Sequence, residues 1–291
     1  MFDPEKLTSQ SLANKIAVVT GASSGIGKIT ARELARLGAQ VLMICRNPEK
    51  GESARQEIMA KTGNQNVMLF QADLSLMREV RRVAKEINDK FPRLDILINN
   101  AGMMPGKRTV TSEGFELSWA TNYLSVFLLT NLLLDKLMAA ESARIINVSS
   151  EVHRLGQINL QDMHKPGKYS SITAYADSKL ATIMFTYELA RRLELTGITA
   201  NCLHPGVVAT NVTGQAHTAM KYLFMLGRPF MRSAEKGAET TLFLATSPTL
   251  TGVSGLYYKN KKAVRSSGQS YNPAIARRLW TQTEKQTGFQ A

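Results

Sequence analysis

Tyr175 and Lys179 stand four residues apart in a segment, residues 171–195, whose apolar spacing predicts one amphipathic helix, so both side chains fall on the same helical face. A phenol and an ammonium then share one site. A tyrosine with an ordinary pKa of about 10 transfers protons poorly at neutral pH, but a cation within about 6 Å favours the phenolate and brings it into a useful range. The pair suits acid/base chemistry at a hydroxyl or carbonyl oxygen. Tyr and Lys at this spacing also form ordinary surface contacts, so the reading needs support from the rest of the chain.

Support comes from Thr20-Gly21-Ala22-Ser23-Ser24-Gly25-Ile26-Gly27, which follows the apolar run 16–19 and precedes the helical pattern Ile29, Leu34, Leu37 closed by Gly38. That context is strand, glycine turn, helix. Glycines let the backbone approach a pyrophosphate, and the free N–H groups and positive dipole end of the helix receive its charge. Gly21, Ser23, Ser24, Gly25, Ile26 and Gly27 are the candidate contacts. The spacing is Gly-x-x-x-Gly-x-Gly rather than Gly-x-Gly-x-x-Gly, and a glycine loop also serves as a plain strand-to-helix connection.

Together with Asn99-Asn100-Ala101-Gly102, Ser150, and Pro205-Gly206 with Thr210, these motifs stand in the order of the short-chain dehydrogenase/reductase family, which the chain resembles over residues 14–260. Within it the chain is similar to the retinol dehydrogenase group. Three features carry this: Cys45-Arg46-Asn47 with Lys50-Gly51, the 24 residues between Ser150 and Tyr175, and Asn272-Pro273 leading into Ala276-Arg277-Arg278-Leu279-Trp280. Membrane-bound relatives carry an apolar N-terminal anchor, whereas residues 1–14 here are polar.

The resemblance implies a catalytic set of Asn122, Ser150, Tyr175 and Lys179. Tyr175 would give or take the hydroxyl proton, and Lys179 would lower its pKa and bind the nicotinamide ribose. Ser150 would hydrogen-bond the substrate oxygen as charge develops there. Ser149 competes for that role; the second serine of the pair is the family's choice. Asn122 would hold a water linking the lysine to solvent, or else satisfy a helix kink. Asp73 and Leu74 would meet the adenine, although Asp before Leu-Ser is also an ordinary helix N-cap. Asn100, Ala101 and Gly102 join the cofactor contacts, as do Pro205, Gly206, Val208 and Thr210 at the carboxamide.

The elements that must position these residues follow from alternation of strand-like runs (16–20, 41–45, 67–72, 94–98, 144–148, 199–203 and 255–258) with helical patterns. Such alternation predicts an α/β fold, a doubly wound Rossmann-type parallel sheet of about seven strands with helices on both faces. Ligands bind beyond the carboxyl ends of such strands, and Gly21, Arg46, Asp73, Asn99, Ser150 and Pro205 all lie at or just past those ends. Arg46 ends the second strand where an acidic residue would hold ribose hydroxyls, so NADP(H) is the expected cofactor through its 2′-phosphate. The alternative is an Arg46 that packs on the adenine or faces solvent.

Composition is that of one globular unit: 291 residues, 44% hydrophobic and 20% charged, with no linker or repeat. Residues 1–291 are read as a single dinucleotide-binding catalytic domain with a substrate lid at about 214–232. The apolar stretch 123–138 is interrupted by Thr130, Asn131, Asp135 and Lys136, below the run of about 18 residues a membrane span needs, and is read as a buried helix. Cys45 and Cys202 fall in separate strands, and residues 1–20 show no signal pattern, so a reducing cytoplasm is expected. The net charge of +13 is spread without a recognition motif or interleaved aromatics, which argues against nucleic acid. Attraction of anionic NADPH or contact with acidic lipid at a membrane surface fits it better. His153, His164, His204 and His217 lack metal-ligand spacing.

The expected function is NADP(H)-dependent interconversion of a lipophilic aldehyde or ketone and its alcohol, retinal-like, steroid or aliphatic. Residues 217–232 combine methionines and aromatics with basic residues, as suits a lid over such a substrate; the alternative is a helix that covers the core. The expected partners are that small molecule, a membrane surface and a second copy of the chain. The alternatives are reduction of a carbon–carbon double bond, as in protochlorophyllide reductase, and an NADP-binding scaffold without turnover.

Overall fold

Each apolar run becomes a strand of one sheet in the computed structural model, which describes residues 12–161, 169–206 and 233–290. The strands are β1 (Ile16–Thr20), β2 (Gln40–Cys45), β3 (Val67–Gln71), β4 (Ile96–Asn99), β5 (Arg144–Val148), β6 (Thr199–His204), β7 (Tyr257–Lys259) and β8 (Lys262–Ala263). Their order is β3-β2-β1-β4-β5-β6-β7-β8, with β1 to β7 parallel. Chain direction across the sheet reverses between β1 and β4, which opens a crevice at their carboxyl ends. The eighth strand is antiparallel to β7. Its two-residue turn puts Asn260 (φ 54°) and Lys261 (φ 63°) in the left-handed region, a hairpin geometry that a lysine does not advertise.

The two faces of the sheet follow strand alternation. Val18, Leu42, Ile44, Leu97 and Ile145 face one core, under helices α3 (Met77–Lys90), α5 (Ser125–Leu132), α7 (Ser171–Arg192) and α9 (Pro273–Thr287). Ala17, Val19, Val41, Met43, Ile98 and Ile146 face the other, under α1 (Gly25–Arg36), α2 (Pro48–Thr62) and α8 (Ala234–Thr246). Burying both faces explains why the strands read as continuous apolar runs. Asn272 caps α9 by accepting from the amides of Ala274 (3.0 Å) and Ile275 (3.1 Å). Its Trp280 packs against Phe127 and Phe185, with the Arg192 guanidinium 3.9 Å from the indole centroid.

Three expectations change. The predicted buried helix over 123–138 is interrupted at Leu133, between α5 and α6 (Leu134–Met138), and is entered through α4 (Leu117–Trp119) and a π-helical turn (Ala120–Leu124) that holds Asn122. The helix carrying Tyr175 and Lys179 stops at Arg192, three residues before the predicted end at Leu195. Asp73 is no helix cap: α3 starts at Met77, and the carboxylate of Glu113 accepts from the amides of Met77 (2.6 Å) and Arg78 (3.1 Å). Cys45 and Cys202 are free and buried. Among the described residues, no helix is long and apolar enough to cross a membrane.

Candidate active site

The glycine loop leaves β1 at Gly21 and enters α1 at Gly25, both with positive φ (66° and 55°). A Cβ on Gly27 would lie 2.4 Å from both the Asn100 Nδ2 and the Gly21 carbonyl oxygen, so the loop closes on itself only with glycine there. Thr20, which sequence reasoning left out, ties this loop to the next. Its hydroxyl accepts from the amides of Asn100 and Ala101, both at 2.9 Å, while Asn100 Nδ2 donates to the Thr20 carbonyl at 2.9 Å. Ser24 caps α1 without a side-chain hydrogen bond, and the first turn has no acidic residue. First-turn amides left this way fit an anionic pyrophosphate.

Beside the loop, a cavity of about 300 Å³ is lined by Ser23, Lys28, Glu49, Lys50, Ser53 and Ala54. Arg46 is exposed at the end of β2, and Lys28 is ion-paired to Glu57. Two lysines and one carboxylate, Glu49, line the cavity, and because α1 and α2 meet only in the fold, the sequence did not mark Lys28 or Ser53 as neighbours of the loop. Asp73 Oδ1 is engaged by Ser75, accepting from its amide (3.0 Å) and hydroxyl (2.7 Å), and Leu74 is buried beside it.

Opposite the loop, β5 and α7 bring the predicted catalytic residues together. Lys179, 3% exposed, donates from Nζ to the Val148 carbonyl at 2.9 Å, and this ammonium lies 5.7 Å from the Tyr175 ring centroid. The serine pair divides its work. Ser149 donates to the Lys179 carbonyl at 2.8 Å and so tethers α7 to the sheet, while the Ser150 hydroxyl faces the Tyr175 phenol and favours its ionised form. Gly102 lies against the same group: a Cβ there would sit 3.2 Å from Lys179 Nζ and 3.3 Å from Asn122 Oδ1.

Asn122 is fully engaged. Its Oδ1 accepts from the Met103 amide (2.8 Å), and its Nδ2 donates to the Met103 carbonyl (2.9 Å) and to Ser178 Oγ (3.0 Å). The π-helical turn aims its backbone carbonyl at Thr182 Oγ1, which donates to it at 3.0 Å. The kink and the site thus meet in one residue. Below them a buried relay runs from Asn99 Nδ2 to Asn147 Oδ1 (2.8 Å) and from Asn147 Nδ2 to Thr186 Oγ1 (2.9 Å), fixing β4, β5 and α7 to one another.

The electrostatics differ from the sequence expectation. Burial pushes Tyr175 up to about 12, against a smaller lowering by the neighbouring Ser150 hydroxyl. Burial also pushes Lys179 down to about 8. Both charged forms lose solvation here, and the ammonium is aimed at the Val148 carbonyl rather than at the phenol oxygen, so desolvation outweighs the pull of lysine on tyrosine. His153, at the turn after Ser150, is likewise lowered by burial.

Pro205 and Gly206 follow β6 at the same end of the sheet. Val208, Thr210, His164, His217 and the proposed lid lie outside the described residues. Among the described residues, no group of three or more His, Cys, Asp or Glu side chains could hold a metal. A cavity of about 660 Å³ opens at the far end of the sheet beside Arg144 and Thr199, and none of the predicted site residues lines it.

Comparison with known proteins gives the family and the fold. The pattern of the short chain dehydrogenase family matches residues 15–221. Retinol dehydrogenase 12 of Mus musculus is 42% identical over 97% of this chain and 89% of its own. The crystal structure of an uncharacterised protein from Mycobacterium paratuberculosis superposes with a TM-score of 0.79 at 35% identity, covering 96% of each chain. A protein from Escherichia coli CFT073, assigned as a short chain dehydrogenase and crystallised with NADPH, gives 0.67 at 26% identity over 87% of this chain and 98% of that one. With the glycine loop, the Asn-Asn-Ala-Gly turn and the Ser, Tyr and Lys group all at the carboxyl edge of one doubly wound sheet, the chain belongs to the short-chain dehydrogenase family, among its retinol dehydrogenase-like members.

Proposed function

We propose that this enzyme uses NADP(H) to interconvert a lipophilic aldehyde or ketone and its alcohol, with Tyr175 as proton donor and acceptor. The observation that carries the reading is the convergence of Ser150, Tyr175, Lys179 and Asn122 within hydrogen-bonding networks at the edge where the glycine loop ends. The cofactor, when bound, would give the hydride in reduction and take it in oxidation. The chain's own groups supply orientation and protons. The Ser150 hydroxyl donates to the substrate oxygen, stabilising charge there, and the Tyr175 phenol delivers or removes that oxygen's proton. Lys179 holds positive charge beside both and binds a ribose hydroxyl. Asn122 keeps the Met103 turn and Ser178 in place around it.

The retinol dehydrogenase names of the relatives favour a polyene or similarly apolar carbonyl, and residues 214–232 are assigned as its cover on the strength of their methionines and aromatics. A single screen decides: retinal, a ketosteroid and a long aliphatic aldehyde, each with NADPH, followed by loss of its absorbance. Turnover of none of them, with NADPH bound, would leave a scaffold.

Cofactor choice has its own test. Arg46→Ala is expected to weaken NADP(H) binding about tenfold or more, since a charge-assisted contact to the 2′-phosphate is worth about 1.5–3 kcal/mol. Affinity for NAD(H), which lacks that phosphate, should hold. Equal losses for both cofactors, measured by fluorescence titration, would assign Arg46 to packing on the adenine instead.

A further inference from the structure

The peptide group between Ser150 and Glu151 is held at both poles by histidine side chains. His153, fully buried, lies at the next turn of the chain with Nδ1 2.7 Å from the Ser150 carbonyl oxygen. A carbonyl only accepts, so Nδ1 carries the proton. Its Nε2 accepts from the Ser267 amide at 3.0 Å and is therefore bare. His204, the last residue of β6 and also buried, accepts the Glu151 amide at Nδ1, 3.2 Å away, so this ring has the opposite arrangement at Nδ1. One ring takes the C=O and the other takes the N–H of the same peptide.

On the near side of Ser150, the Ser149 amide donates to the Leu203 carbonyl at 2.8 Å. With the peptide after Ser150 held at both poles and the chain pinned one residue earlier at the Ser149 amide, the backbone around Ser150 is restrained on both sides, and χ1 aims the hydroxyl. An ordinary turn needs no such pair, because Ser150 Oγ already accepts from the Val152 amide at 3.3 Å and the Ser150 carbonyl from the His153 amide at 3.1 Å.

We propose that His153 and His204 are positioning residues that hold the Ser150 peptide so that its hydroxyl meets the reacting oxygen beside Tyr175. This rests on the role given to Ser150 above. His153 extends the restraint to the segment at Ser267, and its ring packs edge-on against Tyr257 at 5.0 Å, so a part of the chain remote in sequence braces the serine.

Asparagine offers a matched test, because its side chain reaches the δ position and can donate where His153 donates or accept where His204 accepts. Leucine fills similar space and does neither. The four variants His153→Leu, His153→Asn, His204→Leu and His204→Asn are compared alone and combined with Ser150→Ala, reading kcat with the best carbonyl of the screen and the dissociation constant for NADPH. Each leucine variant should lower kcat by about tenfold or more, and His153→Leu should leave NADPH binding within about twofold. The asparagine variants should recover most of the loss. In the Ser150→Ala background the leucine substitutions should cost nothing further. The same loss with and without Ser150 would overturn the proposal, since the histidines would then act elsewhere. Impaired Ser150→Ala beside unaffected histidine variants would remove the clamp alone, whereas full turnover by Ser150→Ala would remove the role of Ser150 on which it stands. If His153→Leu does not fold, the His204 pair decides.

Discussion

Tyr175→Phe is expected to lower turnover by about 10²–10⁴-fold while NADPH affinity stays within about twofold, because only the proton-transfer group is removed and the ring keeps its packing. The structure sharpens the direction of this effect. Burial raises Tyr175 to about 12, so at neutral pH the phenol is protonated and poised as a donor to a carbonyl oxygen. Carbonyl reduction by the wild type should accordingly need no deprotonation at Tyr175. Oxidation of the alcohol needs the phenolate, whose population climbs tenfold for each pH unit below the pKa, so the oxidative kcat/KM should rise with pH through the neutral range. In Tyr175→Phe that rise should vanish. Substantial residual activity, or an unchanged pH profile for oxidation, would take the proton-transfer role away from Tyr175.

Much of the fold was legible because the parallel sheet is buried on both faces, which writes its strands as apolar runs. The strands at 16–20 and 144–148 have the predicted bounds, and that at 41–45 gains only Gln40. Interactions between distant residues were not legible. Nothing local marks Glu113 as the cap of α3, and a capping aspartate at Asp73 was the reasonable expectation until a carboxylate 36 residues beyond Met77 took the place. Residues 123–134 are apolar on nearly every side, so no periodicity marks the π-helical turn at Asn122 or the interruption at Leu133, and the series read as one continuous helix.

In the site, residue types and spacing led to Tyr175 and Lys179, the family resemblance chose Ser150 over Ser149, and only geometry gave Ser149 a task of its own, at the Lys179 carbonyl. Thr20, His153 and His204 escaped because they bind backbone amides and carbonyls, groups every residue has, so no pairing of side-chain types announces them. Charge was the hardest to read. The spacing put an ammonium near a phenol, but which way each pKa moves depends on burial, and burial is a property of the whole fold.

Lys179→Met is expected to lose turnover by about 10²-fold or more and to weaken NADPH binding, yet to gain stability at neutral pH. The ammonium is nearly fully buried with a carbonyl as its hydrogen-bond acceptor, and its pKa falls from 10.5 to about 8. Because the folded-state pKa lies below the unfolded one, the unfolded chain binds more protons between those values, and wild-type stability must rise with pH across that window. Below about pH 8 the lysine is charged in both states, and the folded protein carries the cost of a buried charge, on the order of 3 kcal/mol from the size of the shift. Methionine keeps the length of the stem without that charge, at the loss of one hydrogen bond to Val148, worth about 1 kcal/mol. The variant should therefore melt above the wild type at pH 7, and its advantage should shrink steadily as the pH approaches 10.5. The measurement is a pair of denaturant titrations at several pH values, beside turnover with NADPH. A lower stability at pH 7, or a stability difference that does not change with pH, would mean that Lys179 is held in the fold as a favourable charge. Retained turnover would mean that the ammonium beside Tyr175 does no chemistry.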